Sequence, residues 1–121
     1  MAYVDGFVLP VPEANKQAFI DHARWFADIF LEYGATRVTE CWQSDVPEGE
    51  TTSFPLAVKR EAGEAVVFSW VEWPDRRTRE ASMAKMMEDP RLGANGPSMP
   101  FDGKRLIMGG FETVVTAMAS D

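Results

Sequence analysis

Hydrophobic residues recur at helical spacing between Glu13 and Tyr33, in a stretch without glycine or proline. The apolar stripe consists of Phe19, Ala23, Phe26, Ile29, Phe30 and Tyr33. Charged and amide side chains occupy the opposite positions at intervals of three and four. This spacing predicts an amphipathic helix with one face against a core. Gly34 follows where helices commonly end in a left-handed residue.

Three other segments have the β-branched and aromatic composition of strands. They lie at residues 3–11, 36–43 and 65–73, and the third is apolar enough for a central strand. Pro10 and Pro12 are expected to end the first of them. A further strand is predicted at 56–60. The last is predicted at 104–118, interrupted at Gly109-Gly110 by a bulge or a tight approach.

A second helix is predicted after Trp73-Pro74, with Asp75 as its N-cap. It extends to about Glu88, and the following Asp89-Pro90 ends it. Its inward side is predicted to hold Ala81, Ala84 and Met87. Residues 92–103, crowded with glycine and proline, form a loop.

The predicted order of elements is β-α-β-(β)-β-α-β. This order is typical of the ferredoxin-like split βαβ, an α+β fold with an antiparallel sheet, formed here by one domain over residues 1–121. Both helices cover one face of the sheet. Alternation assigns to the other face part of the set Phe7, Trp42, Phe68, Trp70 and Phe111. Because nothing else in the chain is left to cover that face, we expect a second copy to pack on it, as a homodimer.

Composition and charge narrow the possible partners. The 121 residues, 45% hydrophobic and 26% charged, are typical of one folded soluble domain. Nineteen acidic against twelve basic residues give a net charge of −7, and the basic residues form no long cluster. Nucleic acid and anionic membranes are therefore not expected partners. No basic leader or long apolar run appears, so cytoplasmic residence is the default expectation.

Cys41 and His22 are each the single residue of their type. One cysteine cannot form a disulfide within the chain, and one Cys with one His does not supply a structural zinc site. We therefore expect neither a metal nor a cofactor. The Cys41 side chain is expected to be a buried thiol.

His22 is the one side chain that titrates near neutrality when unperturbed. It lies in the apolar stripe of the first helix, between Phe19 and Phe26. It is either a general base or haem ligand that points into a cavity, or a packed histidine held by one hydrogen-bond partner. We favour the second interpretation.

Asp5, Glu40 and Glu72 are carboxylates inside otherwise apolar strands, where an unpaired charge is costly. One interpretation has them line a pocket or pair with Arg37 or Arg105. The simpler one places them on a hydrated sheet face or at a strand end.

Lys104 and Arg105 follow Phe101-Asp102-Gly103, a segment without the pattern of a phosphate-binding P-loop. A turn is its favoured interpretation, and a site for a small anion is the alternative. Trp70 is one of four tryptophans that suit either the wall of a pocket for a planar ligand or a dimer core. The candidate ligand-binding residues are therefore Asp5, His22, Trp70, Lys104 and Arg105.

Several short motifs resemble a known family. They include Tyr3-Val4-Asp5-Gly6-Phe7-Val8 near the start, Asp89-Pro90-Arg91, and Pro100-Phe101-Asp102-Gly103-Lys104-Arg105, together with residues 45–47, 52–55 and 66–70. In this order and over nearly the whole chain, the motifs resemble the YbaA-like family of uncharacterised bacterial proteins. The resemblance implies a dimeric α+β barrel and carries no catalytic residue with it.

Three functions remain open at this point. The first is a homodimeric binding or accessory protein with a cavity for a small organic molecule. The second is a cofactor-independent enzyme of the monooxygenase or isomerase kind, since the wider dimeric α+β barrel group that this fold resembles includes such enzymes. The third is a protein-interaction module without a small-molecule site. Fold alone does not choose among them.

Overall fold

A computed structural model describes residues 2–93 and 96–120 of the chain. Its helices and strands are, in order, β1 (Tyr3–Pro12), α1 (Lys16–Glu32), β2 (Arg37–Trp42), α2 (Phe54–Ala57), β3 (Glu64–Trp73), α3 (Arg76–Met86) and β4 (Ile107–Glu112). Two 3₁₀ turns, Glu13–Asn15 and Gly103–Arg105, precede α1 and β4. Over these two ranges, no helix has the length and hydropathy needed to cross a membrane.

The four strands form one antiparallel sheet in the order β2-β3-β1-β4. β1 and β3 pair at the centre over ten residues, from Tyr3 opposite Trp73 to Pro12 opposite Glu64. α1 connects β1 to β2, and α3 lies between β3 and β4 in the chain. This topology is the ferredoxin-like split βαβ, so the predicted fold class is confirmed.

The core lies between the helices and one face of the sheet. Alternate residues of a strand point to opposite faces, so the odd-numbered residues of β1 and β3 share the face turned toward α1 and α3. The buried apolar residues on this face are Leu9, Val11, Ala65, Val67, Val71 and Trp73. All of them except Ala65 belong to one of two clusters, one around Phe19 and Ala23 of α1 and the other around Trp73 and Ala35.

Both long helices occupy the predicted places. α1 buries Phe19 and Ile29 of the predicted stripe, and Gly34 follows it with a φ of +112°. α3 begins after Asp75, whose carboxylate accepts a hydrogen bond from the N–H of Thr78 at 2.7 Å. The predicted cap of each helix is therefore present.

The inward face of α3 is not the predicted one. Ser82 and Met86 are buried, and the Ser82 hydroxyl donates to the carbonyl of Tyr33 just beyond α1. The three residues predicted to face inward are all exposed: Ala81, Ala84 and Met87. A polar contact with the end of α1 orients this helix, and hydrophobic spacing does not reveal such a contact.

β1 ends at Pro12, as predicted, whereas Pro10 lies inside the strand, contrary to the prediction that it helps to end it. Val66, opposite Pro10, directs its N–H and its carbonyl to Gln43 on the other side of β3. The nitrogen of Pro10, which carries no hydrogen, therefore faces away from β3. It lies on the side where pairing with β4 has stopped at Val8. Proline removes no ladder hydrogen bond at such a position.

The predicted strand at 56–60 is wrong, because the chain forms the short helix α2 there. Ser53 caps α2, with its Oγ accepting a hydrogen bond from the N–H of Leu56 at 3.0 Å. Pro55 occupies the first turn, where proline is well tolerated. Lys59, with a φ of +51°, then adopts a left-handed conformation that an extended strand does not contain.

β4 is shorter than the predicted strand at 104–118 and contains no bulge. Gly109 and Gly110 pair in register with Gly6 and Asp5. A Cβ on Gly110 would overlap the phenol oxygen of Tyr3, so the tight approach predicted here is confirmed. Residues 113–120 follow without regular structure.

The sheet face opposite the helices, which we call the bare face, holds Phe68, Trp70 and Phe111 as predicted. Phe7 and Trp42 lie on the helix face instead. The register explains the difference, since Phe7 is opposite Ser69 and Trp42 is opposite Val67, both of which face the helices.

The bare face carries no layer of helix or strand in the described chain, apart from α2 at one corner. There the ring of Phe54 contacts that of Phe68, with centroids 5.8 Å apart. Phe68 and Ile107 are each 44% exposed and Phe111 is 63% exposed. A row of large apolar side chains is thus left in contact with water.

Candidate functional site

A cavity of about 280 Å³, here called the inner cavity, lies between α1, the helix face of the sheet and the segment from Met99 to Met108. Met83 of α3 also lines it. Most of the wall is apolar, and the aromatic part consists of Phe7, Phe19, Phe26, Phe30 and Phe101. The polar side chains in the wall are His22, Glu40 and Ser69. A mostly apolar hollow with a few polar groups is typical of a small-molecule site.

A second hollow of about 390 Å³, here called the outer groove, runs between α1 and the edge strand β2. Lys16, Arg24 and Asp28 give it a charged rim, and the Lys16 Nζ lies 5.2 Å from the centre of the Trp42 ring. Glu40 borders both hollows. Its side chain therefore keeps contact with solvent although protein atoms surround its carboxyl group.

Glu40 and Ser69 are direct partners across β2 and β3, and both face α1. Burial raises the pKa of Glu40 to about 7, and a hydrogen bond with Ser69 opposes this shift in part. Among the residues that the structure describes, no Lys or Arg forms an ion pair with Glu40. A carboxyl with this pKa is partly protonated near neutrality and can donate or accept a proton there.

His22 projects from α1 among aromatic rings. The centroids of Trp25, Phe26 and Phe101 lie 5.7, 6.2 and 6.1 Å from that of its imidazole. Its Nδ1 is buried and has no hydrogen-bond partner within the described ranges. Burial lowers the pKa of His22, so that the neutral imidazole is favoured at neutral pH. The aromatic contacts agree with the favoured sequence interpretation of a packed histidine, and the partner expected for it is not found at Nδ1 among the described residues.

The arrangement offers proton exchange and hydrogen bonding in an apolar enclosure. Glu40 supplies a carboxyl near its midpoint of titration, Ser69 a hydroxyl, and His22 an unpaired ring nitrogen. Across residues 2–93 and 96–120, no group of three His, Cys, Asp or Glu side chains is placed to hold a metal ion.

Asp5, the first sequence candidate, lines neither hollow. Its carboxylate is fully buried and accepts hydrogen bonds from Arg79 Nε at 3.1 Å, Arg79 Nη2 at 2.8 Å and Trp73 Nε1 at 2.9 Å. The predicted pairing with Arg37 or Arg105 is wrong, and so is the simpler expectation of a hydrated face. No sequence pattern indicates Arg79 as the partner, because this arginine lies on α3 and approaches β1 only in the folded chain.

Lys104 and Arg105 also lie outside both hollows. Arg105 holds the carboxylate of Glu64 through two hydrogen bonds of 2.7 Å and that of Asp102 at 3.0 Å, and it donates to the carbonyl of Lys59. The hydrogen bonds from Arg105 keep the pKa of Glu64 below its usual range, and the backbone N–H of Lys104 together with Arg105 does the same for the pKa of Asp102. Arg105 is therefore occupied as a structural link from the turn to β3, whereas Lys104 is exposed.

Trp70 lies on the bare face, away from the inner cavity. Its Nε1 donates to Glu72 at 3.1 Å, and Glu72 forms a long ion pair of 3.9 Å with Arg37. Arg37 was among the predicted partners of these strand carboxylates. Cys41 is half-buried on the same face, where a fully buried thiol was expected.

The fold thus brings one of the five sequence candidates, His22, into the inner cavity. Glu40 joins it there, although sequence reasoning grouped it with Asp5 and Glu72 without separating them. Ser69 was missed. Its signal was its place in the apolar run of β3, where an isolated hydroxyl at an inward position is unusual.

Comparison with known proteins agrees with this fold and gives no activity. The family described as "Protein of unknown function (DUF1428)" matches residues 2–103. The uncharacterized protein YbaA of Escherichia coli K12 is 54% identical over 115 residues, which cover 95% of this chain and 98% of that protein. The YbaA protein of Shigella flexneri gives the same values. The family resemblance stated from the short motifs is therefore confirmed.

A solved structure shares the architecture at much lower identity. It is a protein from an uncultured marine organism, described as a dimeric ferredoxin-like protein, with a TM-score of 0.60 and 12% identity. The match covers 96% of this chain and 98% of that one. Likeness at this level of identity supports the ferredoxin-like fold.

Proposed function

The chain belongs to the DUF1428 family, and we propose that it is a homodimeric protein that binds a small organic molecule in the inner cavity. The observation that carries this proposal is the composition of the cavity wall. Five phenylalanines surround about 280 Å³ in which His22, Glu40 and Ser69 are the polar side chains. Interiors of small domains are normally packed without hollows of this size, so an open aromatic cavity favours an occupant.

The polar groups in this wall favour a ligand-binding site over a cavity that results only from imperfect packing. A buried ring nitrogen without a partner among the described residues and a carboxyl with a raised pKa both reduce the stability of the folded state. A ligand that bonds to them recovers part of that cost. Strongly perturbed ionisable groups in a cleft are associated with functional sites for this reason.

The homodimer is supported by the bare face. Phe68, Ile107 and Phe111 are between 44% and 63% exposed, and the apolar residues of the following segment, Val114, Val115 and Met118, are at least 80% exposed. A second copy placed face to face by a two-fold axis would bury both rows at once. The related solved structure is described as dimeric, and its fold is the same.

A thermal-shift screen with small aromatic molecules tests ligand binding. A ligand that binds the folded state increases the free energy of unfolding by mass action, by about 2.7 kcal/mol at a concentration of one hundred times its Kd. Tm rises as a result. Ala27→Leu places extra atoms in the inner cavity, because Ala27 lines it, and should abolish the shift. Ala18→Leu makes the same change on the exposed side of α1 and should leave the shift intact. No hit in a broad screen, or hits that persist in Ala27→Leu, would contradict the proposal.

Light scattering tests the dimer. The expected mass is twice 13.5 kDa, and Phe111→Asp should reduce it to that of one chain, because a charge on the bare face opposes face-to-face packing. Leu31→Asp is the matched control, since Leu31 is 46% exposed on α1, away from this face. A parent mass of one chain at micromolar concentration would exclude the dimer.

An enzyme of the isomerase kind is the second candidate function. It is favoured by one observation, that Glu40 and His22, which can both exchange protons, line the same cavity. The enzyme is supported if the protein converts a ligand found in the screen, and if Glu40→Gln still binds this ligand but no longer converts it. A pure interaction module is the alternative that remains if no ligand is found.

A further inference from the structure

We propose that the ligand of the inner cavity is a small aromatic molecule that carries a hydrogen-bond donor, an amine or a hydroxyl group, and that Glu40 with Ser69 receives this donor. The inference rests on the proposed binding function and goes beyond it by naming the chemical class of the ligand. It also predicts that aromatic carboxylates are poor ligands.

The charged side chains around the inner cavity determine which ligands its wall can hold. No Lys or Arg lines the inner cavity in the part of the chain that the structure describes. The arginines near the sheet are engaged elsewhere, Arg79 with Asp5 and Arg105 with Glu64. An anionic ligand would therefore enter without a partner cation, at a desolvation cost that nothing offsets.

The hydrogen-bonding oxygens of Glu40 and Ser69 lie together in the wall. Glu40 and Ser69 are opposite each other on adjacent strands and face the same hollow, with side chains close enough to share one ligand group. Their oxygens lack an arginine or lysine among the described residues, whereas the fully buried carboxylate of Asp5 on the same face has three donors. The raised pKa of Glu40 agrees with a carboxyl whose hydrogen-bond partner is the neutral hydroxyl of Ser69 and not a cation.

The rest of the wall of the inner cavity is mostly apolar, with aromatic rings from the sheet and from α1. Phe7 lies on β1, and Phe19 and Phe30 lie near opposite ends of α1. Aromatic side chains therefore line the cavity from both the sheet and the helix. Aromatic rings favour offset or edge-on contact with another ring. His22 offers a further buried nitrogen to a second polar group on the ligand. About 280 Å³ is at the lower limit of typical ligand sites, which suits a molecule of one or two rings.

Three matched probes test the inference: benzylamine, benzyl alcohol and benzoate. They share one ring and differ in charge, as cation, neutral donor and anion near pH 8. Titrations followed by protein NMR should give the tightest binding for benzylamine, then benzyl alcohol, with benzoate at least about tenfold weaker than the amine. Tighter binding of the amine supports an amine ligand, and equal binding of amine and alcohol supports a hydroxyl ligand.

Glu40→Gln is the diagnostic variant, with the exposed Glu80→Gln as its control. It should raise the Kd of benzylamine about tenfold and change the Kd of benzyl alcohol by no more than about twofold. The difference in affinity between benzylamine and benzoate should therefore become smaller. Lowering the pH to about 5.5 should have the same effect on the parent by protonating Glu40. The charged and titratable groups of α1 around Glu40 are Lys16, His22, Arg24 and Asp28. Repeating the pH change in Glu40→Gln isolates the contribution of Glu40 from theirs.

The outcomes separate this inference from the proposed function. If benzoate binds as tightly as benzylamine, or if Glu40→Gln retains the affinity for the amine, the ligand class is wrong and the binding function stands. If none of the three probes binds at millimolar concentration and the wider screen also fails, both are wrong. The melting temperature of Glu40→Gln, measured alongside, verifies that the variant is folded.

Discussion

Two carboxylates on the same face of the sheet have opposite environments. Asp5 on β1 is fully buried and accepts three hydrogen bonds from Arg79 and Trp73. Glu40 on β2 faces the same helix layer, has Ser69 as its polar partner and has a pKa raised to about 7. One carboxylate is satisfied by the protein alone, and the other has capacity left for a ligand.

The difference arises from the element that packs above each carboxylate. α3 supplies Arg79 at a position from which its guanidinium reaches Asp5 with two nitrogens. α1 presents Phe19, Ala23 and Ala27 toward β2, and its charged residues there border the outer groove. The α3 end of the layer is therefore built for stability, whereas the α1 end retains a hollow. Variants at the two ends should respond accordingly.

The largest effect is expected for Arg79→Met, which leaves the fully buried Asp5 carboxylate without its cation. Removing one partner of a buried ion pair costs about 3–5 kcal/mol, and the lost contact of the guanidinium with the Tyr3 ring adds to it. Urea unfolding at fixed protein concentration measures the loss. Arg77→Met on the exposed side of α3 is the control and should change stability by less than about 0.5 kcal/mol. A loss below about 1 kcal/mol in Arg79→Met would show that Asp5 does not depend on Arg79.

Asp5→Asn should cost less, about 1–3 kcal/mol, although it removes the other half of the same pair. The amide keeps an acceptor for Trp73 Nε1, and the Arg79 side chain, 22% exposed, can reach water. The same urea experiment ranks the two variants. If Asp5→Asn destabilises the protein more than Arg79→Met does, the conclusion that Asp5 depends more on the ion pair than Arg79 does is wrong.

Glu40→Gln should stabilise the protein above pH 7. The pKa of the folded carboxyl is about 7 against an ordinary 4.5, so the folded state binds more protons between these values and its stability falls as the pH rises through them. With allowance for solvent contact at the side chain, the ionised form costs about 1–2 kcal/mol. The variant should therefore exceed the parent by this amount at pH 8 and match it at pH 4. Thermal unfolding of both proteins across this range checks the curve, and identical pH profiles would contradict the raised pKa.

The smallest effect is expected for Glu80→Gln. Glu80 pairs with Arg76 at 2.8 Å, one turn away on α3, and both side chains are more than half exposed. Exposed pairs of this spacing contribute about 0.3–0.5 kcal/mol. Urea unfolding should detect no more than that, and the difference should shrink in high salt. A larger loss would mean that surface charge, rather than burial, distinguishes the carboxylates of this protein.

Local signals predicted most of the fold. The uninterrupted stripe from Phe19 to Phe30 defined α1, and Asp75 marked the start of α3, because the causes of both lie within a few neighbouring residues. The errors occurred where a distant contact decides. Pro10 is tolerated because pairing with β4 stops before it, and Ser82 rather than Ala81 faces inward because its hydroxyl reaches Tyr33.

The candidate site was predictable only in part for the same reason. His22 could be recognised because a titratable residue stood in an apolar helical stripe. Asp5, Glu40 and Glu72 looked alike as isolated carboxylates in apolar strands. In the structure, Asp5 is ion-paired in the core, Glu40 lines the inner cavity and Glu72 lies on the bare face. No local pattern separates them, because their partners come from α3, from β3 and from β2.

The sequence by itself determined the class of each long element, the split βαβ order and the presence of a second apolar sheet face, since these follow from periodicity and from the alternation of strand side chains. Only the tertiary structure decided which carboxylate contacts an arginine and which lines the inner cavity. That choice depends on strand register and on which helix lies above each strand. Both are set by contacts between residues tens of positions apart, such as Asp5 with Arg79 and Glu40 with Ser69.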